Sequence, residues 1–229
     1  MIFRAVSRRL SVLLVAPLLV CAPAAFAQKP PKDKSPEQKS PEKEKQTVYD
    51  FSLVDLNGKV VSLSAYKGKV LLIVNLASQS VYRSQIDALS ELQKNYESKG
   101  LVVLGIPSAD FGKQELKDTP AVRTYYLDTA KVTFSVFAPA TLTGVQAIPL
   151  YHFLCDPKQS VPGGELHWSF TKFLISRDGK PLARYEVGED PAEAEFHVLV
   201  EKALDGKFKP AGAKHADGPG GGDDDDDGL

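Results

Sequence analysis

Val70-Leu71-Leu72-Ile73-Val74-Asn75-Leu76-Ala77 is the stretch that decides the fold. A near-continuous apolar run of strand length reads as a central strand covered on both faces. The next thirty residues complete a unit. From Tyr82 onward, Ile86, Leu89, Leu92 and Tyr96 recur at helical spacing, and Gly100 closes the helix. Leu101-Val102-Val103-Leu104-Gly105-Ile106 is a second buried strand. Strand, helix and strand in that order predict a parallel, right-handed crossover.

Outward from this unit, Tyr49 to Leu53 reads as a short strand. Asn57-Gly58 is a hairpin signal before Val60-Val61-Ser62-Leu63. A helix is expected from Gln114 towards Tyr125, and Val132 to Phe137 is extended or loop-like. Pro149 opens a short helix through Leu154. Thr171 to Ile175 and Leu182 to Val187 flank Asp178-Gly179 as a hairpin. The final helix is expected from about Pro191 to Leu204, with Phe196, Val200 and Leu204 on one stripe. The class is α/β: a central mixed β-sheet flanked by helices on both faces. No internal repeat is present.

The ends differ in composition from this core. Arg4, Arg8 and Arg9 precede an apolar stretch from Leu10 to Val20, and Ala25-Phe26-Ala27 has the A-x-A pattern of a signal-peptidase site. Residues 1–27 are therefore expected to be a signal peptide, and the mature chain secreted or periplasmic. Loss of those three arginines, with no acidic residue, takes a net charge of -1 to -4. Gln28 to Lys45, dense in Pro, Lys, Glu and Ser, reads as a charged, disordered linker. The tail 211–229 is Gly-rich and ends in Asp223 to Asp227, a run of like charges that cannot be buried. The domain is left as 46–210. Its charge is not that of a nucleic-acid binder, and no transmembrane span is expected in the mature chain. Cys21 leaves with the signal, so Cys155 is the only thiol of the mature chain and can form no internal disulfide.

Three ordered segments carry a family resemblance. Val74-Asn75-Leu76-Ala77-Ser78-Gln79-Ser80 ends the first buried strand, followed by Phe111-Gly112-Lys113-Gln114-Glu115 and Trp168-Ser169-Phe170-Thr171-Lys172-Phe173-Leu174. Together they resemble the glutathione peroxidase family, whose strand runs V-N-x-A-S-x into cysteine or selenocysteine and whose later segment reads W-N-F-x-K-F-L. The resemblance implies a thioredoxin-like fold, thiol-dependent peroxide reduction and a role in oxidative stress. It implies no bound cofactor; a hydroperoxide is the substrate and a thiol reductant such as glutathione or thioredoxin the co-substrate. Carried across residue by residue, it puts Ser80 at the nucleophile, Gln114 at the glutamine, Trp168 at the tryptophan and Ser169 at the asparagine. Val81 and Arg83 stand where the family has glycine and threonine, and Ser108-Ala109-Asp110 where it has C-N-Q.

The chemistry makes the first position critical. Peroxide cleavage oxidises a thiolate or selenolate to a sulfenic or selenenic acid, which a thiol then reduces. An alcohol has no such oxidation state, so peroxidase activity at Ser80 is expected to be lost. Alternatives stay open. A serine hydrolase needs a base within reach of Ser80; His167 adjoins Trp168, but strand alternation would turn the two apart. Cys155, with His152 one helical turn earlier to lower its pKa, is the alternative peroxidatic thiol. A non-catalytic binding module for a protein or lipid partner is the third reading. Without the resemblance, Trp168 reads as a packing residue and Gln114 as a helix cap.

Overall fold

The computed structural model describes residues 45–160 and 162–209. The expected signal peptide, nearly all of the expected linker and the Asp-rich tail lie outside the described residues. Two antiparallel strands, β1 (Ser52–Val54) and β2 (Val60–Ser62), form an N-terminal hairpin. The main sheet contains β3 (Val70–Leu76), β4 (Leu101–Pro107), β5 (Ser135–Val136), β6 (Lys172–Ile175) and β7 (Pro181–Tyr185), in the order β5-β4-β3-β6-β7. β3 pairs parallel with β4 and antiparallel with β6, so the sheet is mixed. The helices are α1 (Gln85–Tyr96), α2 (Thr119–Arg123), α3 (Pro149–Cys155) and α4 (Ala194–Leu204).

Every residue of β3 is buried, and its alternate side chains enter different cores. Leu72, Val74 and Leu76 join Ile86, Leu89 and Leu92 of α1 and Phe196, Val200 and Leu204 of α4. Leu71 and Ile73 join Leu150, Tyr151, Phe153 and Leu154 of α3, with Leu53 and Leu63 from the hairpin region. The continuous apolar run is thus a strand with both faces covered. α1 gives way to a 3₁₀ turn, Glu97–Lys99, and the chain is redirected into β4 by Gly100, whose φ of 101° few other residues adopt. No helix among the described residues is long and apolar enough to cross a membrane.

Several expectations are corrected. Tyr49 to Leu53 is not one strand: Val48–Asp50 is a 3₁₀ turn, reinforced by the Asp50 carboxylate accepting from the Thr47 N–H at 2.8 Å, and β1 begins at Ser52. The helix expected from Gln114 starts five residues later. Asp118 caps it by accepting from the Ala121 N–H at 2.8 Å, and Pro120 suits the first turn. It then widens into a π-helical turn, Thr124–Thr129. The final helix starts at Ala194, and the helix read from Tyr82 becomes regular at Gln85.

Gly105 lies mid-β4, under the core that contains Leu76 and Phe134. A Cβ there would collide with the Leu76 side chain and the Phe134 ring. Gly105→Ala is expected to lower the unfolding free energy by about 1–3 kcal/mol through overpacking. Urea titration should show a lower midpoint with an unchanged slope.

Candidate functional site

β3 ends at Leu76, and a tight turn carries the chain over Ser78 to Ser80. The Ser80 N–H donates to the Ala77 carbonyl at 3.2 Å. The Ser80 carbonyl in turn accepts from the Arg83 N–H at 3.2 Å, so the residue sits in turns that precede α1. Ser80 is fully buried. Its Oγ accepts from the Tyr82 N–H at 3.3 Å and from the Ser169 hydroxyl at 3.4 Å. Beside it lies a cavity of about 680 Å³, with Arg83 and Asp87 on one side and Tyr125 on the other. Burial raises the Tyr125 phenol, with Arg83 pulling the other way.

The second segment reaches this turn through its backbone. The Gln114 carbonyl accepts from the Gln79 N–H at 2.9 Å. The Gln114 side chain is half-buried, and its Oε1 has no protein partner. Gly112 and Lys113 both take left-handed backbone, making the turn that aims Gln114 back towards β3. Gln114 therefore belongs to a turn and does not cap α2.

Glu115, the next residue, is the anchor that sequence reading missed. Its buried carboxylate accepts from the Ser78 N–H at 3.1 Å, the Ser78 hydroxyl, the Leu116 N–H at 2.8 Å and the Tyr126 hydroxyl at 2.7 Å. Burial first, then this carboxylate, pushes the Tyr126 phenol far up, so Tyr126 stays a donor. Four donors on one carboxylate compensate for its removal from water. The available signal was an acidic residue beside Gln114 in the quoted motif.

The third segment begins as a turn, Trp168 to Thr171, and enters β6 at Lys172. Asn75 holds it: its carbonyl accepts from the Phe170 N–H at 2.8 Å, and its Nδ2 donates to the Trp168 carbonyl at 3.0 Å. Phe170 is fully buried at φ 62°, a conformation costly for a bulky residue and held by its surroundings. Lys172, also fully buried, donates from Nζ to the carbonyls of Phe170 (2.8 Å) and Glu186 (3.1 Å). Burial brings its pKa down to about 8, with Glu189, Asp190 and Glu186 opposing the shift. Ser169 is buried against Ser80, whereas Trp168 is 45% exposed.

Of the four expected site residues, Ser80 and Ser169 are in direct contact. Gln114 is joined to the Ser80 turn through Gln79, and Trp168 is tied to the end of β3 through Asn75. His167 is exposed like Trp168, so the strand alternation expected to separate them does not apply. Among the described residues, no histidine or carboxylate hydrogen-bonds to Ser80, so no general base for a hydrolase is in place. Cys155 ends α3 and is half-buried. Burial raises its thiol pKa, Arg184 and Glu186 acting in opposite directions, so the expected lowering by His152 is corrected.

A mixed sheet with helices on both faces, and a turn leaving β3 into α1, define a thioredoxin-like protein. A thiol:disulfide interchange protein from Chlorobium tepidum shares that fold, with a TM-score of 0.52 at 23% identity over 67% of this chain and 92% of its own. The family is narrower. The glutathione peroxidase family model matches residues 48–155. A glutathione peroxidase of Lactococcus lactis subsp. cremoris is 38% identical over 150 residues, covering 66% of this chain and 96% of the relative. A probable phospholipid hydroperoxide glutathione peroxidase of Mesembryanthemum crystallinum is 39% identical over 156 residues, covering 68% and 92%. The crystal structure of Trgpx in apo form superposes with a TM-score of 0.55 at 31% identity, over 72% of this chain and 97% of that one. The chain belongs to the glutathione peroxidase family.

The buried charges give two testable outcomes. Glu115→Gln puts an amide N–H₂ against donors and is expected to cost about 1–3 kcal/mol in denaturant unfolding. Lys172 binds its proton less tightly folded than unfolded. Its charged form therefore opposes folding below pH about 8, and that penalty is relieved as pH rises towards the unfolded value of 10.5. Relative to Lys172→Met, the wild type should gain stability across that window, by at most about 3 kcal/mol. Unfolding curves collected from pH 7 to about pH 10.5 check the slope.

Proposed function

We propose that this chain is an exported glutathione peroxidase-family protein in which Ser80 stands where relatives carry the peroxidatic cysteine or selenocysteine. Family membership connects the chain to thiol-dependent peroxide reduction. The observation that carries the finer reading is the contact at the centre of the site: two buried hydroxyls, Ser80 and Ser169, 3.4 Å apart. Neither oxygen can accept a peroxide oxygen and return it to a thiol. The thiol among the described residues, Cys155, is half-buried and holds its proton more tightly than a free cysteine. A reactive cysteine has the opposite character. The scaffold persists as a cleft, and its retained role is to bind a protein or lipid partner.

The names of the relatives supply the test compounds, a hydroperoxide and a phospholipid hydroperoxide. Peroxide consumption by the mature protein, with glutathione or thioredoxin as donor, is expected to be negligible. Ser80→Cys restores the missing atom to a turn held by Asn75, Glu115 and Lys172, and should give measurable turnover. Wild-type turnover that vanishes in Cys155→Ala would replace this reading with a peroxidase working through Cys155.

A further inference from the structure

Ser80 borders the cavity beside α1 but is itself fully buried, and so is Ser169, whose hydroxyl lies 3.4 Å from its own. A ligand in that cavity meets the Ser80 side chain only when a covering segment moves. The Trp168–Thr171 turn is built to do so. Phe170 holds a left-handed backbone, φ 62°, a strain that is relieved when the turn lets go. Lys172 stands directly behind the turn and is fully buried. Its Nζ donates to the carbonyls of Phe170 and Glu186 and enters no ion pair among the described residues. An ammonium held this way keeps hydrogen bonds but forfeits its hydration.

The charged and titratable groups facing Lys172 come from β7 and the loop that follows it. Glu186, Glu189 and Asp190 attract the ammonium from a distance. The Glu186 carboxylate is already engaged by Arg184 and the Thr171 hydroxyl, and that of Glu189 by the Glu186 N–H. Tyr185, opposite Lys172 in the sheet, keeps its proton, because burial and Glu189 push its phenol up to about 12. Burial outweighs the three attractions and brings Lys172 down to about 8 from the ordinary 10.5. Release of the turn returns the ammonium to water, so the charged lysine favours the open turn and the neutral amine the closed one. We propose that the Trp168–Thr171 turn is a lid over Ser80, closed by the hydrogen bonds of Asn75 and Lys172 and opened by rehydration of the Lys172 ammonium. Opening is then greatest below pH about 8 and falls as pH rises from there towards 10.5. The lid governs access to position 80 whether or not peroxide chemistry survives there.

Alkylation kinetics of Ser80→Cys in the mature chain, with Cys155→Ala removing the other thiol, test this. Each iodoacetamide rate is divided by that of the same chain unfolded in guanidinium at the same pH. The ratio should fall more than about tenfold between pH about 7 and about 9.5. Lys172→Met in that background removes the titrating group and should flatten the profile. Glu189→Gln, at an exposed position, removes one attraction for the ammonium, so the fall should begin at lower pH. Urea should accelerate the labelling with a much smaller slope than global unfolding has. A flat starting profile, a profile that neither Lys172→Met nor Glu189→Gln changes, or a urea slope equal to that of global unfolding would each overturn the proposal.

Discussion

Asn75 is the constraint on which the site depends. It is a fully buried amide at the end of a strand that is otherwise apolar. A polar side chain in that position is tolerated only when it is hydrogen-bonded. Its amide nitrogen and its backbone carbonyl both find partners in the Trp168–Thr171 turn, and only its Oδ1 is left without one. That requirement draws a segment more than ninety residues away onto the end of β3, and Ser169 arrives against Ser80 as a result. β6 then continues antiparallel to β3 from Lys172, so the register of Phe173 opposite Ile73 and the position of the site share one origin.

Glu115 and Lys172 secure the same turns from different sides. The carboxylate fixes Ser78, two residues before Ser80, to the loop after β4 and to the π-helical turn. The ammonium fixes the carbonyl of Phe170, one residue after Ser169, to the chain leaving β7. Neither charge lies in an ion pair among the described residues; each is compensated by hydrogen bonds alone. Such arrangements are intolerant of partial satisfaction, because an unmet partner is a buried charge without compensation. The two turns that meet at Ser80 are thus held by bonds that do not involve its side chain.

This separation explains what was legible in the sequence. The β3–α1–β4 unit was readable because its apolar periodicity is local, and the hairpin at Asp178-Gly179 because its turn residues are. Ser80 and Ser169 were readable through the motifs that contain them. Asn75, Glu115 and Lys172 stood in those same motifs, but their roles come from pairings across the chain, which no spacing encodes. The start of α2 was missed because Asp118 and Pro120 outweigh the preceding residues. The 167–168 region was misread because alternation describes strands, whereas Asn75 and Lys172 impose a turn there.

On the proposed reading, the departures at the centre form a consistent set. A thiolate needs several donors aimed at it, because its charge is buried. A neutral hydroxyl needs only modest hydrogen bonding, which the Tyr82 N–H and the Ser169 hydroxyl provide. Once the nucleophile is an alcohol, an asparagine amide at position 169 has no anion to stabilise, and a smaller hydroxyl suffices. The turns around Ser80 are nonetheless retained, because Asn75, Glu115 and Lys172 hold them for the stability of the sheet as well as for the site. A fold built this way can lose its reacting atom without losing the shape of the cleft around it.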